Sequence, residues 1–311
     1  MRNQIVLKRY KTQNCVENCI SNLCDHNNID FSPLFFYSWD FGFRVEPIML
    51  EDRLHYNSRF DYGIDKYFEI AKAHLGILFM PICCKINTIM SLLTSGKTLL
   101  VEADGYYLPW NLAFEKYHII HDFVIEYNIT RKTISVCDSF CSDTIVDLDD
   151  IKDINITKGY LVQLIDRKLN LDEYVLLRKN YLSFLKKNRI NDVYNSIKLF
   201  GEALERIDSV ETLTAYTDDL SNSLFVRKIN HIVNARYNTQ YLFGFFDFSK
   251  YHKEIMNDIY MKWEAVKGMF IKTLISKKTN LFSQLSHELF VLSDLECDLC
   301  DSIIRNEIEQ K

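Results

Sequence analysis

Apolar residues fall in two rhythms along this chain: short bursts between polar turns up to about residue 168, and recurrences at every third and fourth position after it. Cys15, Cys19, Ile20, Leu23 and Cys24 share one face of a helix predicted over 15–28, with Asn14 as its cap and Glu17 completing a capping box. A helix is predicted over 63–74, a short apolar strand over 76–84, a helix over 85–96 ended by Gly96, and a strand over 97–104. DFVIEYN and TISVCD, separated by a turn over 128–132, predict a hairpin, and ITKGYLVQLI (156–165) a further strand. Helices are then predicted over 171–188, 191–207, 209–240, 248–275 and 279–309. The pattern implies an α+β N-terminal domain with a small antiparallel sheet, residues 1–168, followed by an all-helical domain, 169–311.

Composition narrows the functions this architecture can serve. A net charge of −5 without a basic block speaks against nucleic-acid binding. No stretch of 18 apolar residues is free of charge, so no membrane span is expected. MRNQIVLKRYKTQNC has no apolar signal core, and nine cysteines in a chain too large to need crosslinks fit a reducing compartment; a cytoplasmic protein is expected. There is no glycine-rich phosphate loop, so no directly bound cofactor is expected. Cys15/Cys19, Cys137/Cys141 and Cys297/Cys300 invite a zinc reading, but only the last has CxxC spacing and it lacks a second ligand pair nearby. These are expected to be small buried hydrophobes, with no metal site.

Cys15 differs from the others by its place in the first turn of a helix. There the unpaired N–H groups and the positive end of the helix dipole lower a thiol's pKa, and the same N–H groups can receive an oxyanion. Such a thiol needs a base and a group to orient that base. His121 enters the first strand of the hairpin and Asp138 ends the second, so both reach the same end of the sheet. His118, three residues earlier and in a loop, is the competing histidine.

Residues 10–140 resemble the N-terminal domain of butirosin biosynthesis protein H and its relatives. The resemblance rests on Cys15, Asn22, Leu23, Ile29, Asp30 and Ser32 in order, then YSWDFGF, then EADGYYLPWNLAFEKYHIIHDFVIEYN. In that block Asp104, Tyr106, Tyr107, Leu108, Pro109 and Trp110 match, His121 falls on the family's strand-entering histidine and Asp138 on its strand-end aspartate. Asn111, Glu115 and Ser139 depart from the family's usual residues. Papain-like enzymes also place a glutamine six residues before the nucleophile; Gln13 stands six before Cys19, which keeps Cys19 as a rival to Cys15.

The resemblance implies a papain-like fold and a cysteine acyltransferase of natural-product biosynthesis. Cys15 would attack a thioester on the phosphopantetheine arm of an acyl or peptidyl carrier protein. His121 would shuttle the proton, Asp138 would orient it, and Gln13 or Asn14 would assist at the oxyanion. A small-molecule or peptide amine would then take the acyl group. Trp39, Tyr106, Tyr107 and Trp110, with Phe35, Phe36, Tyr37 and Phe41, would line the acyl channel or simply form core. The same triad also suits a thioesterase, an amidase or a cyclising release enzyme, and an idle domain that docks carrier proteins is the non-enzymatic alternative. The apolar helices after 240 would form a homodimer surface or a second core.

Overall fold

The computed structural model describes residues 8–41, 43, 64–129, 131–138, 141–147, 154–165, 169–209 and 224–309. The protein is a mixed α/β structure with one antiparallel sheet. Contacts divide it into two units: Met1–Leu34 with Tyr62–Leu169, and Phe35–Asp61 with Asn170–Lys311. The aromatic segment from Phe35 is therefore grouped with the helices, so the second unit is discontinuous in sequence, unlike the single cut after 168 expected above.

The first unit contains α1 (Cys15–His26), α2 (Ile64–Ile70), β1 (Ile77–Pro81), α3 (Ile86–Thr94), β2 (Leu99–Asp104), β3 (Ile120–Asn128), β4 (Thr133–Asp138), β5 (Cys141–Asp147) and β6 (Ile156–Leu164). The strands lie in the order β1-β6-β2-β3-β4-β5. α1 starts at the capping box read from the sequence: Asn14 Oδ1 accepts from Glu17 N–H, and Glu17 Oε2 accepts from Asn14 N–H, both at 2.9 Å. The helix predicted over 63–74 is α2 followed by a π turn at Ala71–Leu75. Gly76, at φ 66°, ends it in a left-handed conformation that a side chain would strain. β1 stops at Pro81, short of the predicted 84; it pairs only with β6, and an edge strand tolerates a residue without an N–H. β5 was not predicted.

Side chains alternate along each strand, so each face of the sheet has its own cover. Leu99, Val101, Ala103, Phe123, Ile125, Ile134 and Val136 form one buried cluster with Ile89 and Leu93 of α3. On the other face α1 packs against β3 and β4, and Phe68 of α2 stacks on Phe79 at 4.3 Å and meets Tyr160 edge-on at 4.7 Å.

The second unit contains α4 (Leu171–Ile190), α5 (Asn195–Glu205), α6 (Leu224–Phe245), α7 (Lys250–Ser276) and α8 (Leu281–Glu309). The helix predicted over 209–240 appears as α6; residues 210–223 lie outside the described residues. α8 packs against α4, α5 and α7, and α6 packs against α7. Their shared interior holds a buried ion pair. Glu296 Oε1 accepts from Arg236 Nε at 2.7 Å and from Trp263 Nε1 at 2.7 Å. Its Oε2 accepts from Arg236 Nη2 at 2.9 Å and from Trp39 Nε1 at 3.0 Å. Arg236 Nη1 also donates to the carbonyls of Ser38 and Asp40, each at 3.1 Å. Within this unit the aromatic segment is thus bound to α6, α7 and α8 by charge as well as by ring packing. Among the described residues no helix is long and apolar enough to cross a membrane.

Removing one partner of a buried pair strands the other charge, so Glu296→Ala is expected to destabilise the helical unit by about 3–5 kcal/mol. Denaturant unfolding followed by tryptophan fluorescence measures this; a loss below about 1 kcal/mol, the worth of an exposed pair, would show that Arg236 does not depend on Glu296.

Candidate functional site

The capping box sets the first turn of α1, and with it Cys15, at the end of β3. Tyr67 of α2 reinforces the turn: its hydroxyl donates to Glu17 Oε1 at 2.9 Å and accepts from Asn14 Nδ2 at 3.1 Å. The Asn14 Oδ1 thus serves the cap and one N–H of its Nδ2 goes to Tyr67. Gln13 differs. It is only 8% exposed, and neither its Oε1 nor its Nε2 has a hydrogen-bond partner among the described residues.

Cys15 Sγ lies 3.4 Å from Asp122 Oδ2, to which the thiol donates. Asp122, the residue after His121, is a neighbour the sequence reading missed. The backbone N–H groups of Asp122 and Val16 point at the sulfur and favour its thiolate. Burial, first, and the Asp122 charge, second, oppose them and push the thiol up to about 12. The helix end is expected to lower the thiol's pKa; burial and Asp122 outweigh it. Asp122 is itself raised to about 6, chiefly by burial, and Glu102 across the β2–β3 pair adds to the rise. Asp122 Oδ1 is buried with no hydrogen-bond partner among the described residues.

Cys19 lies one turn deeper and is fully buried. Its sulfur sits over strand backbone, 3.8 Å from the Asp122 carbonyl and 4.0 Å from that of Cys137, and burial holds its thiol well above the ordinary range.

His121 and Asp138 meet as the hairpin predicts. His121 Nε2 is 2.7 Å from Asp138 Oδ2, and both side chains are buried. Trp110 Nε1 donates to the same Asp138 oxygen at 2.9 Å, and its ring stands edge-on to Phe123 at 5.6 Å. His121 lies on the Phe123 side of β3, whereas the Asp122 side chain meets α1. The structure therefore joins His121 to Asp138 and Cys15 to Asp122, with the two pairs successive on one strand; the hydrogen bond of the Cys15 thiol goes to Asp122 rather than to His121.

The expected aromatic channel divides. Trp110 serves the His121–Asp138 pair, and Tyr106 and Tyr107 stand in the loop after β2, beside His118. Trp39 is fully buried in the helical unit with its indole N–H on Glu296, and Phe35, Phe36 and Phe41 are buried with it; they form core rather than a channel wall. Alternation along β3 is the signal that could have found Asp122, because the residue after a strand-entering histidine faces the opposite side of the sheet. No protein-family model matches the chain, and no curated protein matches its sequence.

Asp122→Asn removes a charge that holds the thiolate back, so alkylation of Cys15 by iodoacetamide at about pH 8 is expected to quicken by about tenfold for each unit by which the thiol pKa falls. Peptide mapping reads the rate; an unchanged or slower reaction would contradict the assigned effect of Asp122. Glu17 is raised from 4.5 to about 7 by burial, so it binds its proton more tightly folded than unfolded. Its contribution is full below pH 4.5 and is lost as pH rises through about 7. Glu17→Gln keeps the cap geometry, and its melting temperature is expected to vary less across that window than that of the wild type; equal slopes would count against the shift.

Proposed function

We propose that the first unit is a papain-like cysteine acyltransferase working through an acyl-enzyme on Cys15. The observation that carries this reading is the clustering of groups at one end of β3: a first-turn thiol against Asp122 on one face and, on the preceding residue and the other face, a histidine held by a buried aspartate and a tryptophan. The donor and acceptor classes follow from the resemblance of residues 10–140. They are a carrier-protein thioester, presented on its phosphopantetheine arm, and an amine, in natural-product biosynthesis.

His121 faces the opposite side of β3 from Cys15, so this mechanism requires the start of β3 to shift until the thiol exchanges its Asp122 hydrogen bond for one with the imidazole. Asp138 occupies Nε2, so Nδ1 takes the thiol proton as sulfur attacks the thioester carbon. Backbone N–H groups at the start of α1 and the Gln13 amide supply the oxyanion donors. The carrier thiolate leaves with the proton held by His121. An amine then attacks the acyl-enzyme, and Cys15 departs as thiol. Hydrolysis uses the same groups with water in place of the amine.

One observation favours a second reading, a non-catalytic domain that docks carrier proteins: the resting Cys15 thiol is strongly protonated and bonded to Asp122 instead of to the histidine. Intact-protein mass spectrometry with acyl-carrier thioesters separates the two. An acyl adduct is expected on the wild type and on Cys19→Ala, and none on Cys15→Ala. An adduct lost in Cys19→Ala but kept in Cys15→Ala would move the nucleophile one turn down the helix, and carrier binding without any adduct would establish the docking reading.

A further inference from the structure

A second histidine–aspartate pair stands at the same end of the sheet. Asp104 ends β2 opposite Ile120, one step beyond the Ala103–His121 pair. Its Oδ2 meets His118 Nδ1 at 2.5 Å, while Oδ1 accepts from the N–H groups of Tyr106 at 3.0 Å and Ile119 at 3.3 Å. Tyr106 stacks on the imidazole, with ring centres 4.6 Å apart and planes 21° from parallel. The loop has little room to shift: Gly105 N–H donates to the Ile119 carbonyl at 2.7 Å, and a Cβ on Gly105 would fall 2.8 Å from Ile119 Cγ2.

The contrast with His121 lies in access. The His118 side chain is 67% exposed and that of His121 is 4% exposed. The hydrogen bond from His118, first, and the two backbone N–H groups hold Asp104 below the ordinary carboxylate range, so the pair is ionic on the aspartate side. An imidazole that donates Nδ1–H to a carboxylate presents Nε2 as its base. Nε2 of His118 has no hydrogen-bond partner among the described residues. An oriented ring, open to solvent at the same sheet end as a buried histidine–aspartate pair, is suited to a reactant that arrives from outside with a proton to lose.

We propose that His118, oriented by Asp104 and Tyr106, is the base that deprotonates the amine acceptor; this rests on the acyl-enzyme reading of Cys15. A primary amine is an ammonium ion at neutral pH and cannot attack. His118 Nε2 takes one proton from the ammonium. The freed nitrogen attacks the Cys15 thioester carbon, the C–N bond forms and the C–S bond breaks. A second ammonium proton passes by way of His121 to the departing sulfur, the third stays on the amide, and His118 releases its proton to solvent. Acylation of Cys15 needs none of this, so the role of His118 belongs to the second half-reaction and favours transfer over hydrolysis.

The test separates the half-reactions in the full chain. S-acetyl-N-acetylcysteamine acylates Cys15, and intact mass follows both formation of the acetyl-enzyme and its loss with and without glycinamide, across about pH 6 to 9. His118→Asn is expected to leave acylation within about twofold of wild type and to lower aminolysis by about 100-fold, the usual worth of a positioned base. Asp104→Asn, which removes the carboxylate that orients the ring, is expected to lower aminolysis while leaving acylation within about twofold of wild type. His118→Asn with the wild-type aminolysis profile overturns the proposal, including the case where only its melting temperature falls, which would mark a surface pair of structural use alone. If the wild type forms no acetyl-enzyme, the reading of Cys15 fails and the proposal with it. If the acetyl-enzyme forms and only the dependence on His118 is absent, the proposal fails and that reading stands.

Discussion

β3 is paired on one side with β2, Ala103 opposite His121, and on the other with β4, Val124 opposite Cys137. The His121–Asp138 and Cys15–Asp122 pairs take their positions from that double register. His121 reaches Asp138 because the hairpin brings the start of β3 level with the end of β4. Asp122 reaches Cys15 because the next side chain along the strand faces α1. A slip of one residue in β3 would exchange its two faces, burying Asp122 among Val101, Ile134 and Val136 and turning His121, Phe123 and Ile125 toward α1. The apolar residues that alternate behind the site, Phe123 and Ile125 against α3 and Val124 on the α1 side, make such a slip costly, so the hydrophobic core specifies the chemistry in front of it.

At the thiol two electrostatic influences compete, and their sizes decide between them. The end of a helix favours a nearby charge by about 0.3–1 kcal/mol. A rise of the Cys15 pKa from 9.0 to about 12 amounts to roughly 4 kcal/mol against the thiolate. Burial and Asp122 therefore win in the resting protein, and the backbone N–H groups of Val16 and Asp122 recover only part of the difference. A thiol held this way stays protonated until the Asp122 hydrogen bond is displaced.

The features legible in the sequence were those set by local rules. Asn14 and Glu17 announce the capping box of α1 within four residues, and the hairpin that joins His121 to Asp138 follows from two apolar runs and a turn. The features missed depend on partners distant in sequence. FFYSWDFGF carries no sign that Trp39 will donate to Glu296, 257 residues away, so the run read as core or pocket wall of the first domain. The departure of β1 from its predicted end has a local cause in Pro81, but only its place at the sheet edge explains why a proline is accepted there. Asp122 was legible in principle, since alternation along a strand is local.

The two units treat a buried carboxylate in opposite ways. Glu296 receives four hydrogen bonds from Arg236, Trp39 and Trp263, and a network so fully satisfied fixes one arrangement of the helices and leaves no capacity for a ligand. Asp122 receives a thiol on one oxygen and nothing from the described residues on the other, and Gln13, two residues before that thiol, has a buried amide in the same condition. Native interiors rarely leave polar atoms unsatisfied, and where they do the cost is borne for a reason. In the helical unit polarity serves packing. Buried polar atoms without a hydrogen-bond partner among the described residues also occur in the helical unit, at Tyr181 Oη, Asn188 Oδ1 and Ser286 Oγ; what distinguishes Asp122 and Gln13 is that they flank a first-turn thiol.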